Sequence, residues 1–539
     1  MSDFHRESLA AFTMIAMAFV IVLAPQLNYV PIWDGHVYAS CAIEAAASGI
    51  TIESLRCAGH PSQGYALLLA LSQLVRPGNI VLMHLTNVAL GILALGCFRL
   101  VLARAFPARE HARQLDLLTL ATAVHPVLLS TLIQVNVDFG VYVFFLATLA
   151  AVMYRRLAWA AVAGTLLCFS KETGVLVYAL MVGLWAAIEA VGDEGAVSAR
   201  LRRLVPSLAI LAIPLALFVV HLAWWNTVHG RSAVWKHQWQ VGPIDGFKFF
   251  DLSEPIFLSY AAGIFLLGFG WVLTAILGGD LAVAGARMAR RQPDREVPGA
   301  DRRALAFLTL LTVMLTYLLT SFRTWSNLRY FALLYPLLIL LTFAALLRLG
   351  IPARMRRMIV GAIIGLFLLA SYRSVDPVSR AVYGTFSIGE RPMYRMASIT
   401  GEFGGPGRDE LVYNLEFTGY HHVQNRLFRL LKPTARTVIA TPQRVRWNIW
   451  SPLDPIGYRR TMARENVLVP RYADEVEVAT QAASIPELWF LEFSNHLDID
   501  NAMHTLDRLY REDRIVSVHA RGHVLKAHHL VRRESPVVP

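Results

Sequence analysis

A few short stretches of this chain set ionisable side chains at the edges of long apolar runs. Asp34 stands in IWDGHVYA with His36 and Tyr38 beside it, and His60 stands in GHPSQGYALL. Asp138 follows in QVNVDFGVY, Lys171 and Glu172 in FSKETGVL, and Arg323, Arg329 and Tyr330 in SFRTWSNLRYFALLYP. Carboxylates and histidine are the residue types that move protons. Arginine and lysine are those that hold anions, arginine as a two-pronged fork. A charged residue at the centre of a spanning helix costs roughly 2.5–3.5 kcal/mol on insertion scales, so charges kept beside apolar spans are candidates for function. Each also has a plainer reading. Asp34 could solvate a loop, Asp138 could cap a helix, Lys171–Glu172 could be a hairpin tip, and His60 could start a helix. Arg329 could be an anchor that snorkels to the headgroups.

The elements that must position these residues follow from composition. Of 539 residues, 55% are hydrophobic and 16% charged, with mean hydropathy +0.47, against about 25% charged in a soluble domain. The deficit lies in residues 1–373, where apolar runs recur at the length that crosses a bilayer as a helix. Backbone amides in hydrocarbon must bond internally, which excludes open strands there. The expected fold is an α-helical polytopic membrane protein of about eleven spans, near 9–30, 79–103, 115–133, 138–154, 157–170, 174–192, 205–226, 256–280, 304–321, 329–347 and 358–373. Residues 374–539 have ordinary soluble composition and read as a separate α/β domain.

The charge balance of +12 belongs to topology. With the N-terminus in the cytoplasm, the inward loops hold Arg104, Arg109 and Arg113, then Arg155 and Arg156, then Arg200, Arg202 and Arg203. The Arg-rich stretch around 285–303 and the cluster Arg354, Arg356 and Arg357 continue the pattern, as the positive-inside rule requires. Nothing points to nucleic acid. The first span reads as a retained signal anchor. Outer loop one, residues 31–78, holds two stretches suited to surface helices, and Cys41 and Cys57 within it could form a disulfide or remain two free thiols. A second outward segment, 227–255, interleaves aromatics and cations. In the C-terminal part, LVYN and TVIAT read as strands flanking a helix near 418–432. ELWFLEF reads as a strand before a helix near 499–512, and IVSVHA and HVLKAHHL as a hairpin.

Alternating topology delivers Asp34, His60, Asp138, Lys171, Glu172, Arg323 and Arg329 to one interface, and their order resembles a known family. An Asp after the first span, a His-Pro opening a second surface helix, an Asp at the mouth of span four, a Lys at the next hairpin and Arg-Tyr-x-x-x-x-Pro at a late span resemble the GT-C glycosyltransferases. Within that superfamily they are similar to the branch of the protein O-mannosyltransferases and the lipid A aminoarabinose transferase. The resemblance implies a polyprenyl-phosphate sugar donor, a glycan, lipid or protein acceptor on the outer face, and inversion at the anomeric carbon. It implies that Asp34 is the general base and that Lys171, Arg329 and Arg323 hold the leaving phosphate. His36, Tyr38, His60, Asp138, Glu172 and Tyr330 are then substrate-binding residues, with Glu172 either pairing with Lys171 or taking a sugar hydroxyl. Many superfamily members carry two adjacent acids in loop one, whereas Asp34 is followed by Gly35; Asp34, His36 and Asp138 are the set that could hold a divalent metal. The rival readings are a lipid-linked glycan transporter or flippase and an O-antigen ligase or polymerase. The transporter reading expects pseudo-symmetric halves, which are not visible, and the ligase reading expects one large late outer loop rather than an Asp immediately after span one. Arg- and Ala-rich usage suggests a bacterial inner membrane, with the C-terminal domain periplasmic or extracellular and guiding the acceptor.

Overall fold

The computed structural model describes residues 3–27, 31, 33–57, 60–191, 197–229, 261, 263–266, 268–292, 296–321, 328–372, 385–388, 391–394, 426–427, 430–431, 439–440, 467–468, 485–493, 506–520 and 523–533. Residues 1–373 are helical wherever a long element is described. In chain order the helices are α1 (Asp3–Leu23), α2 (Trp33–Ser48), α3 (Gln63–Val75), α4 (Ile80–Ala105), α5 (Ala112–Ala123), α6 (Pro126–Ile133) and α7 (Val137–Met153). They continue with α8 (Leu157–Cys168), α9 (Glu172–Val191), α10 (Val197–His229), α11 (Gly270–Ala289), α12 (Arg302–Ser321), α13 (Leu334–Arg348) and α14 (Ala353–Tyr372). A short 3-10 turn, Leu328–Phe331, precedes α13.

Among the described residues six helices are long and apolar enough to cross a membrane, or seven if a bent pair counts as one span. This is fewer than the eleven expected. The difference lies mainly in α7, α8 and α13, which are apolar but short: at 1.5 Å per residue they reach only about 18–26 Å. Being short goes with being inside. Every residue of α6 is buried, as are nearly all of α7 and α13, so these helices are apolar all round and packed by neighbours. α7 lies against α4 and α8, and the 3-10 turn touches α6, α7 and α12.

Three expected boundaries are corrected. The span at 115–133 is broken into α5 and α6, which meet at 50°. His125 takes an extended backbone because Pro126 follows it, and Pro126 opens α6 at a position where no amide is needed. The span at 256–280 holds helical residues at 261 and 263–265, turns at Phe269, whose backbone is left-handed, and continues as α11 from Gly270 to Ala289, so the Arg-rich stretch begins inside a helix. Its AVAGARMA sequence is rich in alanine, the strongest helix former. The helix near 499–512 gives way at Tyr510 to a strand, where REDRIVSV favours extended backbone through its β-branched residues.

The strands are β1 (Thr385–Ile388), β2 (Arg391–Tyr394), β3 (Ile439–Ala440), β4 (Val467–Leu468), β5 (Glu487–Phe493), β6 (Tyr510–Ala520) and β7 (His523–Arg532). β1 and β2 form a hairpin, and the others form a mixed sheet in the order β4-β3-β5-β7-β6. β6 and β7 are the expected hairpin, and β5 is the expected ELWFLEF strand. Leu488, Phe490, Leu506, Tyr510 and Leu530 form its small core. The LVYN strand, most of the helix near 418–432 and most of the 227–255 segment lie outside the described residues.

Candidate active site

The site is built where helix ends meet. Asn136 caps α7 by accepting the Asp138 N–H at 3.1 Å, which sets Asp138 in the first turn. The capping role open to Asp138 therefore belongs to Asn136, and the Asp138 carboxylate is left for other partners. Lys171, between α8 and α9, donates from Nζ to Asp138 Oδ1 at 2.7 Å. Arg329, in the 3-10 turn, places Nε 3.4 Å from Asp138 Oδ2. All three residues are buried. Tyr330 lies beside them, with Lys171 Nζ 4.1 Å and Arg329 Cζ 5.4 Å from its ring centre. Two cations thus share one carboxylate in a water-poor place.

Glu172 turns away from Lys171. Its carboxylate meets His60 Nδ1 at 2.9 Å, so the expected Lys171–Glu172 pairing is replaced by Lys171–Asp138 and Glu172–His60. Adjacent residues at a helix start project in different directions, which is why the two charges separate. The Tyr38 ring lies 6.3 Å from the His60 ring. Arg56 stacks over Trp225 at 4.0 Å and is close enough to Glu172 to feel its charge; burial against these groups pulls its pKa down, with Glu172 acting in the opposite direction. Arg56 and Trp225 were not expected here. They are remote in sequence, and only the fold brings them together.

The segment that carries α2 and α3 is fastened to this cluster from several sides. Cys41 in α2 and Cys57 are disulfide-bonded. Gly64 at the start of α3 donates its N–H to the Phe169 carbonyl at 2.8 Å, next to Lys171. Gly35 is buried, and a Cβ there would collide with the Gln134 carbonyl. The first turn of α2, which carries Asp34 and His36, therefore touches the turn that leads into Asp138. The side chains of Asp34 and His36 lie outside the described residues, and Arg323 lies outside them altogether.

Helix packing claims His125 and His221. His125 stacks 4.2 Å from Tyr335 and 4.7 Å from Phe367, and His221 packs on Phe169 and Trp225. No group of three or more His, Cys, Asp or Glu suited to a metal occurs among the described residues. Of the expected metal set, Asp34 and His36 have side chains outside the described residues, and the Asp138 carboxylate faces Lys171 and Arg329.

No family model and no curated protein matches the chain. Solved structures do. ArnT from Cupriavidus metallidurans in the apo state aligns with a TM-score of 0.54 at 14% identity, over 96% of this chain and 97% of that one. The same protein bound to undecaprenyl phosphate aligns with a TM-score of 0.52 over the same shares. The chain has the GT-C fold. Arabinofuranosyltransferase AftD from Mycobacteria aligns more loosely, with a TM-score of 0.48 at 13% identity, over 98% of this chain and 40% of that one.

Proposed function

We propose that this protein is an inverting glycosyltransferase that moves a sugar from a polyprenyl-phosphate donor to an acceptor on the outer face of a bacterial inner membrane. The observation that carries this reading is the buried Asp138–Lys171–Arg329 cluster within the GT-C fold. Two cations held side by side away from water suit a lipid phosphate better than a neutral ligand. The ArnT structure that aligns over nearly the whole chain holds undecaprenyl phosphate, which supports the same donor class here. The sidedness comes from the arginine-rich loops, and counting the bent pair α5–α6 together with α7, α8, α13 and α14 as crossings brings the six long apolar helices to eleven spans with the N-terminus inside. Residues 374–539 then form an outer domain.

In this account Asp34 is the general base. As the acceptor hydroxyl attacks C1 of the sugar, its proton passes to the Asp34 carboxylate. The bond from acceptor oxygen to C1 forms on one face while the bond from C1 to the phosphate oxygen breaks on the other, so the configuration inverts. The electron pair leaves with the lipid phosphate, and Lys171 and Arg329 stabilise its growing charge. Asp138 keeps the two cations oriented before the donor arrives. His60 and Glu172, linked to each other, stand beside this centre with Tyr38, where they can receive sugar hydroxyls.

The test is sugar release from a panel of radiolabelled polyprenyl-phosphate sugars by purified protein, with crude acceptor present. Lys171→Ala and Arg329→Ala should each lower turnover by about 10²–10³, the usual cost of removing one group that stabilises transition-state charge. If both variants turn over like wild type, the phosphate is held elsewhere and the proposal fails.

A further inference from the structure

We propose that the end of the helix bundle opposite the candidate site binds one anionic phospholipid in a pocket between α12 and α13. A cavity of about 540 Å³ opens there, with Arg302, Arg348 and Glu296 at its polar end and Leu305, Ala306 and Leu310 on its apolar side. Arg302 begins α12 and Arg348 ends α13, so the full length of α12 separates this place from Arg329 and Asp138.

The pocket has a fixed wall. The Asp301 N–H donates to the Ala105 carbonyl at 2.8 Å, Arg104 pairs with Asp301, and a His111 ring nitrogen lies 3.2 Å from the Pro298 carbonyl. These contacts tie residues 298–301 to the end of α4 and the start of α5. The α12 residues that line the cavity recur at helical spacing on one face. That side of the helix continues past Leu310 to Val313 and Met314, both exposed, which gives an apolar track for an acyl chain.

The polar end suits a phosphate. Arg348 directs one terminal nitrogen to Asp280 at 3.3 Å, while its Nε is buried and makes no hydrogen bond among the described residues. Arg302 pairs with Glu296, but their side chains are 75% and 70% exposed, and such surface pairs are weak. The two guanidiniums and the two carboxylates balance, so phosphate binding is an exchange in which Glu296 gives up Arg302. Arg287, Arg290, Arg291 and Arg303 stand at the same end and add an attractive field. Basic pockets between spanning helices on the arginine-rich side of a membrane are places where acidic headgroups bind.

The experiment is native mass spectrometry of the full chain, released from bilayers that contain equal phosphatidylglycerol and phosphatidylcholine. Wild type should retain one phosphatidylglycerol in preference to phosphatidylcholine, and Arg302→Gln should reduce that retention about fivefold, the effect of one arginine near an anionic headgroup. Arg302 is exposed, so this variant keeps the fold. Arg348→Lys, which keeps a charge facing Asp280 but removes the Nε donor, should also reduce retention. Equal retention of the two lipids, or wild-type retention by both variants, overturns the proposal. Inorganic phosphate that displaces the lipid at equal concentration also overturns it, in favour of a free-anion site.

Discussion

At the scale of single residues, Asp138 stabilises the protein by serving two cations at once. Removing one member of a buried ion pair leaves a charge without compensation and typically costs 3–5 kcal/mol. Asp138→Ala should therefore lower the thermal unfolding midpoint in detergent well beyond Glu172→Gln, which keeps a side chain able to hydrogen-bond His60. Equal midpoints for the two variants would mean that the cations have other anions to lean on. Lysine does not replace Arg329, since a point charge cannot reproduce the planar fork. Arg329→Lys should stay folded yet lose much of its turnover, read as donor consumption per enzyme. The residues of this cluster were legible because a charged side chain beside hydrocarbon is rare enough to stand out. Their partners were harder to read. Lys171 and Glu172 are neighbours in sequence, and only the direction each takes from the start of α9 sends one to Asp138 and the other to His60. Arg56 and Trp225 carried no local signal at all.

At the scale of elements, the close approach of α2 to the turn before α7 depends on one missing side chain. Gly35→Ala would push a methyl group into the Gln134 carbonyl, so α2 must move and Asp34 with it. The expected outcome is lost turnover with the donor still bound, measured by retention of labelled lipid on the purified variant; wild-type turnover would show that α2 tolerates the shift. On the opposite end, Asp301 caps α12 by accepting the Ala304 N–H at 3.0 Å and pairs with Arg104. Burial opposes its charge, but the Ala304 and Arg303 amides and the Arg104 guanidinium outweigh burial and hold its pKa below the ordinary carboxylate range. A depressed folded-state value means that its contribution is complete above the ordinary aspartate pKa and is lost as pH falls through the lower folded value. Asp301→Ala should cost about 1 kcal/mol, as lost helix caps do, and the gap between variant and wild type should narrow in acid. A gap that stays constant with pH would contradict this account. Element types in residues 1–373 were readable from hydrophobic length. The break at His125-Pro126 and the extension of α11 were missed because a 19-residue apolar window averages over a proline and over an alanine-rich tail.

At the scale of the whole molecule, the chain divides its polar residues between two ends. One end joins Asp138, Lys171, Glu172, Arg329 and His60, while the other joins Arg104 to Asp301 and Arg348 to Asp280. The first end gathers His60, Asp138, Lys171, Glu172 and Arg329, which were expected at one interface, although six or seven long apolar helices stand among the described residues where eleven spans were expected. The small sheet was foreseen in its β5–β6–β7 portion, where ELWFLEF and the HVLKAHHL hairpin strand alternate clearly; the β3–β4 pairing joins two-residue strands too short to carry a pattern. The aromatic and histidine residues Tyr413, Tyr420, His421, His422, Trp447 and Trp450, whose types are compatible with stacking on sugars, lie outside the described residues. If residues 374–539 guide the acceptor, a chain ending near residue 374 should still bind donor but transfer little sugar to the native acceptor. Full transfer by a folded truncation would remove that role.

The most direct test of the central claim is donor turnover by Asp34→Asn against wild type, using radiolabelled polyprenyl-phosphate sugars and crude acceptor. Loss of turnover in a folded variant that still binds donor is the predicted result and assigns the base to Asp34. Turnover at the wild-type rate, or no consumption of any donor by the wild-type protein, would contradict the transferase account and move lipid-linked glycan transport to first place.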